Sequence, residues 1–385
     1  MNPPDYMGDG LVNLLASLIQ ARGGRADAPE LAALPAHELA GFRHIVMLVI
    51  DGLGDAWLRR QAPEGPLARH RLAAMTSVFP PTTASAITTY LTGDAPQQHG
   101  LTGWFTWLRE LGCVMTVLPG QPRYGGLSYR DAGVDLARLF QHRSVFARMA
   151  THGIAVSPRH IARSEYNLAH LGPADLRPFK GLDGLVRQIT RAVRKARTPS
   201  YVYAYWPGLD TIGHEHGIDS PQALDHLADL EQSVAALSAA LAGTDTALLI
   251  SADHGQIDTT PADIVDVTDH PELAACLSIP LCGEPRAAFC YLRPDRVRAF
   301  EDYCNDALAE RFALYPSRQL LEEGYFGRGL PHPRLAERIG DYTLIARGRS
   351  VIRDPLLFEG PFRQVGVHGG LSDAELWVPL CLLRC

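Results

Sequence analysis

Apolar runs that lead into charged or glycine-containing turns recur along the chain. The first run, His44–Ile50, is apolar at nearly every position and ends at Asp51-Gly52. A run without alternation of apolar and polar residues is typical of a central parallel strand that is buried on both faces. Similar runs predict strands at Tyr201–Trp206, Ala247–Ile250 and Leu376–Leu383.

Helical patterns occupy the intervals between these runs. Residues 11–22 have leucine and isoleucine at i, i+3 and i+4 spacing, which predicts an amphipathic helix. Ser220-Pro221 and Gly243 mark the start and the end of a longer helix. The alternation of strands and helices predicts an α/β fold, with a mostly parallel central sheet sandwiched by helices. Other helices are predicted over 84–91, 133–150 and 181–196.

The alternation stops between residues 256 and 365, where prolines interrupt the chain repeatedly, among them Pro280, Pro285, Pro294, Pro331 and Pro333. We predict an inserted α+β subdomain over 256–365, between a catalytic α/β core of 41–255 and a return to that core at 366–385. Residues 1–40 are predicted to be an N-terminal helix and linker. The predicted elements of the insertion are short runs at Ala287–Leu292 and Tyr342–Ala346 and a helix near 295–311.

Composition narrows the class of protein. A hydrophobic content of 46% and a charged content of 20% are ordinary for a globular chain of 385 residues. The net charge of −6 gives no electrostatic case for nucleic-acid binding. The chain has no apolar run of about 18 residues and no signal-peptide pattern, so we expect no membrane association. The seven irregularly spaced cysteines suggest unpaired thiols, and the expected location is the cytoplasm.

Seven residues at strand ends or in glycine-containing turns are candidates for one site. Six are metal-ligand types and the seventh is a hydroxyl. Three Asp and three His provide two sets of nitrogen and oxygen ligands, enough for two zinc-like ions. A hydroxyl beside two such ions is a candidate nucleophile, and the combination suits hydrolysis of a phosphoester. The seven residues are Asp51, Thr83, Asp210, His214, Asp253, His254 and His368.

Spacing supports this interpretation at two places. Asp210 and His214 are four residues apart, which places both on one face of a helical turn, with His216 as a competing imidazole. Thr83 follows Pro80-Pro81 at a predicted helix start. There the helix dipole and free backbone N–H groups favour an alkoxide and a bound phosphoryl oxygen.

Each candidate alone also has an ordinary structural interpretation. Asp51 can cap a helix, and so can Thr82 or Thr83. His254 can be a hydrogen-bonded residue behind a core strand, and His368 can belong to a glycine turn. Their joint occurrence at five separate strand ends favours a single bimetal pocket. The chain also lacks a Gly-x-Ser-x-Gly elbow, a P-loop and a dinucleotide-binding glycine fingerprint.

The candidate motifs resemble those of the alkaline phosphatase superfamily, especially its nucleotide pyrophosphatase/phosphodiesterase branch. They are Ile50-Asp51-Gly52, Phe79-Pro80-x-x-Thr83, Asp210-x-x-Gly213-His214 and Asp253-His254-Gly255. The resemblance implies the alkaline-phosphatase-like fold, two zinc ions per chain and Thr83 as the nucleophile. It implies one ion held by Asp210, His214 and His368. The other is then held by Asp51, Asp253 and His254, with the Thr83 oxygen as a further ligand.

Two positions depart from the resembling phosphodiesterases. Thr82 stands where they often have lysine, and Ala86 stands where they have an asparagine that holds a phosphoryl oxygen. If that donor is replaced, Ser85 and the backbone N–H groups are the candidates.

The predicted function is zinc-dependent hydrolysis of phosphodiester or pyrophosphate bonds through a phosphothreonine. The expected substrate is a small phosphoester, with nucleotides among the candidates, and its cavity walls are expected in 101–135 and 256–365. Alternatives on the same bimetal site are a phosphomonoesterase, a phosphonate hydrolase and a phosphomutase. An inactive binding module is the alternative from another class. The oligomeric state stays open.

Overall fold

The computed structural model describes residues 3–385, which form two seven-stranded sheets and two short strand pairs. The strands are β1 (His44–Ile50), β2 (Arg71–Thr76), β3 (Phe105–Leu108), β4 (Cys113–Thr116), β5 (Gln121–Pro122), β6 (His152–Pro158), β7 (Asp175–Phe179), β8 (Ser200–Trp206), β9 (Thr246–Ser251), β10 (Ile257–Asp258), β11 (Ile264–Asp266), β12 (Cys282–Glu284), β13 (Ala287–Cys290), β14 (Phe312–Pro316), β15 (Tyr342–Ala346), β16 (Val351–Arg353), β17 (Gly366–Val367) and β18 (Trp377–Arg384).

The α-helices are α1 (Leu11–Ala21), α2 (Ala36–Ala40), α3 (Asp55–Gln61), α4 (Pro66–Arg69), α5 (Thr83–Thr92), α6 (Pro96–His99), α7 (Leu136–Phe140), α8 (Val145–Arg148), α9 (Glu165–Leu171), α10 (Gly181–Lys195), α11 (Gly208–His216), α12 (Pro221–Leu241), α13 (Pro271–Ala274), α14 (Val297–Tyr303), α15 (Ser317–Glu322), α16 (Leu335–Arg338) and α17 (Asp373–Leu376). Two 3₁₀ turns occur at Pro261–Asp263 and Val267–Asp269, and a π-helical turn at Cys304–Leu308 continues α14.

The first sheet has the strand order β2-β18-β9-β1-β8-β6-β7. Strands β9, β1, β8, β6 and β7 are parallel, and β18 is antiparallel to both of its neighbours. All seven residues of β1 are buried, because strands flank it on both edges. The predicted mostly parallel central sheet flanked by helices is therefore confirmed.

The second sheet has the order β14-β15-β13-β12-β3-β4-β5 and is antiparallel throughout. Strands β12 to β15 come from the predicted insertion. The segment 105–122, which the sequence analysis placed in the catalytic core, belongs to this second sheet, because Phe105 pairs with Gly283. Strands of two to four residues have too few positions for their apolar and polar pattern to show which sheet they join. The domain boundaries themselves stay a prediction.

Helix α1 is buried on nearly all sides instead of on one face. Every residue except Gln20 is buried. The polar face is covered because Asn13 donates to the carbonyls of Tyr6 and Pro29, and Ser17 accepts from the backbone of Leu31. The N-terminal segment thus covers the polar face of α1, and α1 packs against α5.

Other sequence predictions differ from the structure in extent. The helix predicted over 133–150 is two short helices, because α7 ends at Phe140, before Gln141 with its φ of 55°, and α8 begins at Val145. Strands β2 and β7 were not predicted. Both are edge strands with partly exposed side chains, so neither has a continuous apolar run.

Two further observations concern the whole described chain. Within residues 3–385, no helix has the length and apolar character that a membrane crossing requires. All seven cysteines are free thiols, as the sequence predicted.

Candidate active site

Three aspartates meet at the carboxyl edge of the parallel sheet. Strands β9, β1 and β8 are neighbours, and Asp51 follows β1 while Asp253 follows β9. Asp210 lies in the first turn of α11, directly after β8. Since parallel strands end at the same edge, the sheet itself brings these carboxylates together, as in other open α/β folds.

Two glycines allow this close approach. Gly52 has a φ of 78°, and a Cβ atom there would lie 3.1 Å from Asp210 Cα. A Cβ atom on Gly213 would lie 2.0 Å from the side-chain oxygen of Gln256, whose amide donates to Asp210. Side chains at either position would push α11 away from Asp51, which explains the glycines in both motifs.

Thr83 and His254 lie at the centre of a first ligand group. The Thr83 hydroxyl oxygen is 3.2 Å from His254 Nε2. The same nitrogen lies 3.3 Å from Asp51 Oδ1 and 3.5 Å from Asp253 Oδ2. His254 Nδ1 bonds to the carbonyl of Gly255 at 3.1 Å, which leaves Nε2 to face the carboxylates.

A second ligand group surrounds Asp210. His214 Nε2 lies 3.2 Å from Asp210 Oδ2, and His368 Nε2 lies 3.8 Å from Asp210 Oδ1. His214 Nδ1 bonds to the carbonyl of Gly366 at 2.7 Å, so its Nε2 points at the carboxylate. The competing imidazole, His216, has a side chain that is 44% exposed and lies beside Glu215 instead.

The grouping differs in one respect from the partition that the resemblance implied. Ligand atoms of Asp210, His254 and His368 lie within 4.8 Å of one another, as do those of Asp51, Asp253 and His254. His254 therefore lies between the two groups. Its ring stacks on that of His368 with centroids 3.7 Å apart, whereas His214 contacts the other carboxylate oxygen of Asp210, Oδ2.

The unpaired atoms of the site fit a cation. Asp51 Oδ1 and Asp253 Oδ2 are buried without a hydrogen-bond donor among the described residues. Burial, together with the charges of Asp210 and Asp253, raises the pKa of Asp51 well above its usual value. Unpaired buried carboxylates are costly, and a bound cation would remove that cost. Three carboxylates and three imidazoles are also a zinc-type donor set.

The pKa values of His368 and Asp210 shift in directions that suit metal binding, whereas the pKa of His214 shifts the other way, because without an ion its partner is the Asp210 carboxylate. Burial, together with neighbouring His254, lowers the pKa of His368 well below its usual value, which favours the neutral ligand form. Burial opposes ionisation of Asp210, but adjacent His214 holds the pKa of that carboxyl below its usual range. Burial also opposes protonation of His214, yet Asp210 raises the pKa of that imidazole to about 9.

The capping interpretations of Asp51 and Thr83 are not supported. Thr83 is the first residue of α5, and Thr82 is the N-cap without making a side-chain capping bond. Helix α3 has Gly54 as its N-cap, and Asp51 instead accepts a hydrogen bond from Tyr205. Both candidate side chains are therefore available to the cavity that they line.

The interpretation of Ala86 as a substrate-facing position is wrong. Ala86 is fully buried and does not line the cavity. The face of α5 that lines the cavity carries Thr83, Ile87 and Leu91, because residues four apart share a helix face. Ser85 is also fully buried, so its hydroxyl is not a replacement donor.

The site opens into a cavity of about 900 Å³. As expected, its walls come largely from segments 101–135 and 256–365, and a further wall comes from 157–167. Residues that represent the three walls are Trp104, Phe105, Arg123, Tyr166, Asn167, Glu284 and Phe362.

Sequence reasoning missed three residues that contact the site. Tyr205 donates to Asp51 from within a strand, where its apolar neighbours hide its function. Gln256 directly follows the Asp253-His254-Gly255 motif, and this proximity was the one available signal. Glu284 lies at the end of a three-residue strand and carries no sequence signal.

The fold and the site together define a hydrolase of phosphoesters with an alkaline-phosphatase-like architecture. The chain belongs to the type I phosphodiesterase / nucleotide pyrophosphatase family, whose sequence model matches residues 45–369. No curated protein matches the chain in sequence.

Solved structures show the same fold at low sequence identity. Murine ectonucleotide pyrophosphatase/phosphodiesterase 5 superposes with a TM-score of 0.65 at 14% identity, covering 87% of each chain. An inactive threonine-to-alanine variant of that protein, in complex with AMP, has a TM-score of 0.64 at 14% identity and the same coverage. Phosphonoacetate hydrolase from Sinorhizobium meliloti 1021, in complex with phosphonoformate, has a TM-score of 0.64 at 15% identity, covering 89% of this chain and 91% of that one.

Proposed function

We propose that the protein is a zinc-dependent phosphodiesterase or pyrophosphatase that forms a phosphothreonine at Thr83. The observation that carries this proposal is the position of the Thr83 hydroxyl. It lines the cavity and lies 3.2 Å from His254 Nε2, beside two buried carboxylate oxygens without donors. Inactivity of the threonine-to-alanine variant of the murine neighbour supports a threonine nucleophile.

The residues fit two ions. Asp51, Asp253 and His254 would hold one of them, with the Thr83 oxygen beside it. Asp210, His214 and His368 would hold the other, with His254 close to both groups. When bound, such ions lower the pKa of a hydroxyl and stabilise negative charge on the entering and leaving oxygens.

The chain's own groups then perform a two-step displacement. The Thr83 hydroxyl loses its proton, its oxygen attacks phosphorus, and the bond from phosphorus to the leaving oxygen breaks. The leaving group departs with a proton. A water molecule attacks the phosphothreonine, releases the phosphate product and restores the hydroxyl of Thr83. The N-terminal turn of α5 offers backbone N–H groups without intrahelical partners, which can hold phosphoryl oxygens.

A small substrate suits the cavity. Its volume of about 900 Å³ is in the range of small-molecule sites. The complexes of the neighbours with AMP and with phosphonoformate support a nucleotide or another small phosphoryl compound. The likeness to a phosphonoacetate hydrolase keeps phosphonate hydrolysis as the second candidate.

The test measures zinc content and turnover on the same purified sample. The panel contains an aryl phosphodiester, a dinucleoside pyrophosphate, an aryl phosphomonoester and phosphonoacetate. We expect two zinc ions per chain and the fastest turnover on the diester or the pyrophosphate. Thr83→Ala should lose nearly all turnover, whereas Thr83→Ser should keep measurable activity because the hydroxyl remains. Full activity of Thr83→Ala, or phosphate trapped on another residue, would move the nucleophile.

A further inference from the structure

Glu284 is a buried carboxyl group in the cavity wall that the proposed reaction does not use. It is the last residue of β12 in the second sheet, and only 6% of it is exposed. It lines the same cavity as Thr82 and Thr83. A carboxylate in this cavity repels an anionic substrate, so the presence of Glu284 requires an explanation.

The hydrogen bonds of Glu284 fix its position without neutralising it. Its Oε1 accepts from the Thr82 hydroxyl at 2.6 Å and from the backbone N–H of Trp104 at 2.6 Å. Both donors are uncharged. Among residues 3–385, no donor reaches Oε2, and this oxygen is not one of the fully enclosed unpartnered atoms. It therefore faces the cavity.

The cations of the cavity wall do not offset this charge. Arg123 donates to both carboxylate oxygens of Glu359, through Nε and Nη2, at 2.9 Å each. Arg353 lies 2.9 Å from Asp266. These two guanidinium groups are thus already matched by carboxylates, and the third arginine of the wall, Arg363, is exposed to solvent, which screens its charge. Glu284 therefore adds negative charge near the residue that carries the nucleophile.

A negative charge at this place discriminates between substrates by their own charge. The phosphoryl group of a phosphodiester has one negative charge, whereas a phosphomonoester or a phosphonate is a dianion at mildly alkaline pH. The second charge is repelled by Glu284, and this repulsion is strong in a water-poor cavity. The three aspartate ligands are matched by the proposed ions, but Glu284 has no such partner.

We propose that Glu284 is a specificity-determining residue, which makes the site accept monoanionic phosphodiesters in preference to dianionic phosphomonoesters and phosphonates. This inference rests on the proposed function, because it places the phosphoryl group at Thr83. It names the substrate class within that function, and it separates the two activities that the structural neighbours represent.

The experiment compares two esters with the same leaving group, methyl p-nitrophenyl phosphate and p-nitrophenyl phosphate. Assays of the zinc-loaded enzyme are run at pH 8.5, because burial raises the pKa of Glu284 to about 7. Glu284→Gln keeps an acceptor for Thr82 and Trp104 but removes the charge. Its ratio of kcat/KM for monoester over diester should rise about tenfold, the order of magnitude expected when one nearby charge is removed.

A binding measurement makes the test independent of turnover. Calorimetry with inorganic phosphate, a dianion at pH 8.5, should give a Kd for Glu284→Gln that is about tenfold lower than for the wild type. The matched control is Glu231→Gln, which removes another buried carboxyl that accepts a backbone N–H bond but lies away from the cavity. It should leave both the ratio and the Kd unchanged.

Each outcome decides between the two proposals. An unchanged ratio and an unchanged phosphate Kd, with normal zinc content, would overturn the assignment of Glu284. A wild type that hydrolyses neither ester nor the dinucleoside pyrophosphate would defeat the proposed function, and the phosphate Kd would still decide on Glu284. If Glu284→Gln does not fold, Glu284→Ala removes the charge without placing an amide near Trp104. Glu284→Asp keeps the charge and should keep the wild-type ratio.

Discussion

Replacing Glu375 by glutamine should strongly destabilise the protein, because it breaks a buried ion pair between the second sheet and the loop that carries His368. Arg286 lies between β12 and β13 and bonds to Glu375 through Nε at 2.6 Å and Nη2 at 2.9 Å. The side chains are only 1% and 0% exposed. Glu375 also accepts from the Gly370 backbone at 2.7 Å and from the Ser372 hydroxyl at 2.6 Å.

The magnitude follows from the charge that would be left behind. Glu375→Gln preserves the shape but leaves the Arg286 guanidinium buried without a counter-charge. Loss of one partner of a buried pair costs about 3–5 kcal/mol. The remaining bonds of Arg286 to the carbonyls of Ser350 and Gly348 favour the lower end of that range. Release of the Gly370 loop should also weaken zinc binding, by about tenfold to a hundredfold, since His368 loses its support.

The assay is urea unfolding of the metal-free protein, followed by zinc titration of the folded variant. The matched control is Glu322→Gln, which breaks the Arg318–Glu322 pair of the same type, with side chains 86% and 62% exposed. An exposed pair should contribute no more than about 0.5 kcal/mol to the free energy of unfolding. If both variants lose a similarly small free energy of unfolding, the Arg286–Glu375 pair does not hold the second sheet to the segment that carries His368.

Three further predictions test the site and its surroundings. His214→Ala should lower zinc content and turnover together, whereas His216→Ala should change both only slightly. Equal losses in the two variants would contradict the choice of His214 over His216 as the metal-binding imidazole. Ala86→Asn should destabilise the protein without raising diester activity, because a larger polar side chain does not fit a fully buried helix position; a gain in diester turnover would contradict this. Burial lowers the pKa of His170 to about 4, so His170 binds a proton more readily in the unfolded chain. Its contribution to stability is fully present above pH 6.5 and is lost as the pH falls towards 4, and the loss reaches about 2 kcal/mol at pH 5. Urea unfolding in the presence of a chelator should show a shallower acid loss for His170→Asn, and an identical pH profile would exclude this contribution.

The clustering of the candidate ligand residues could be predicted because local pattern and sheet geometry agree on it. Asp51 and Asp253 directly follow apolar runs, and strands with buried faces on both sides must be neighbours in a parallel sheet. Asp210 and His214 share a helix face, so if one of the two side chains points to the site, the other does as well. For these residues the sequence contains the necessary information within a few positions of each side chain.

The contacts around the ligands could not be predicted, because they join distant parts of the chain. Thr82 and Glu284 are 202 residues apart, and Tyr205 and Asp51 are 154 residues apart. The same reason explains the wrong interpretation of Ala86. The position three residues after Thr83 was read from a motif, whereas the orientation of α5 is set by its packing on α1, α8 and α9.

The two sheets contribute differently to the site, and this difference explains how the fold can serve several substrates. The parallel sheet supplies Asp51, Asp210 and Asp253 from strands whose register is fixed by hydrogen bonds along their whole length. The second sheet supplies the carboxyl of Glu284 from the end of a three-residue strand. A substitution there changes the charge of the cavity without moving a ligand of the parallel sheet. Under the proposed role of Glu284, substrate charge is selected independently of the proposed hydrolytic chemistry, as long as Arg286 continues to hold the loop of His368 in place.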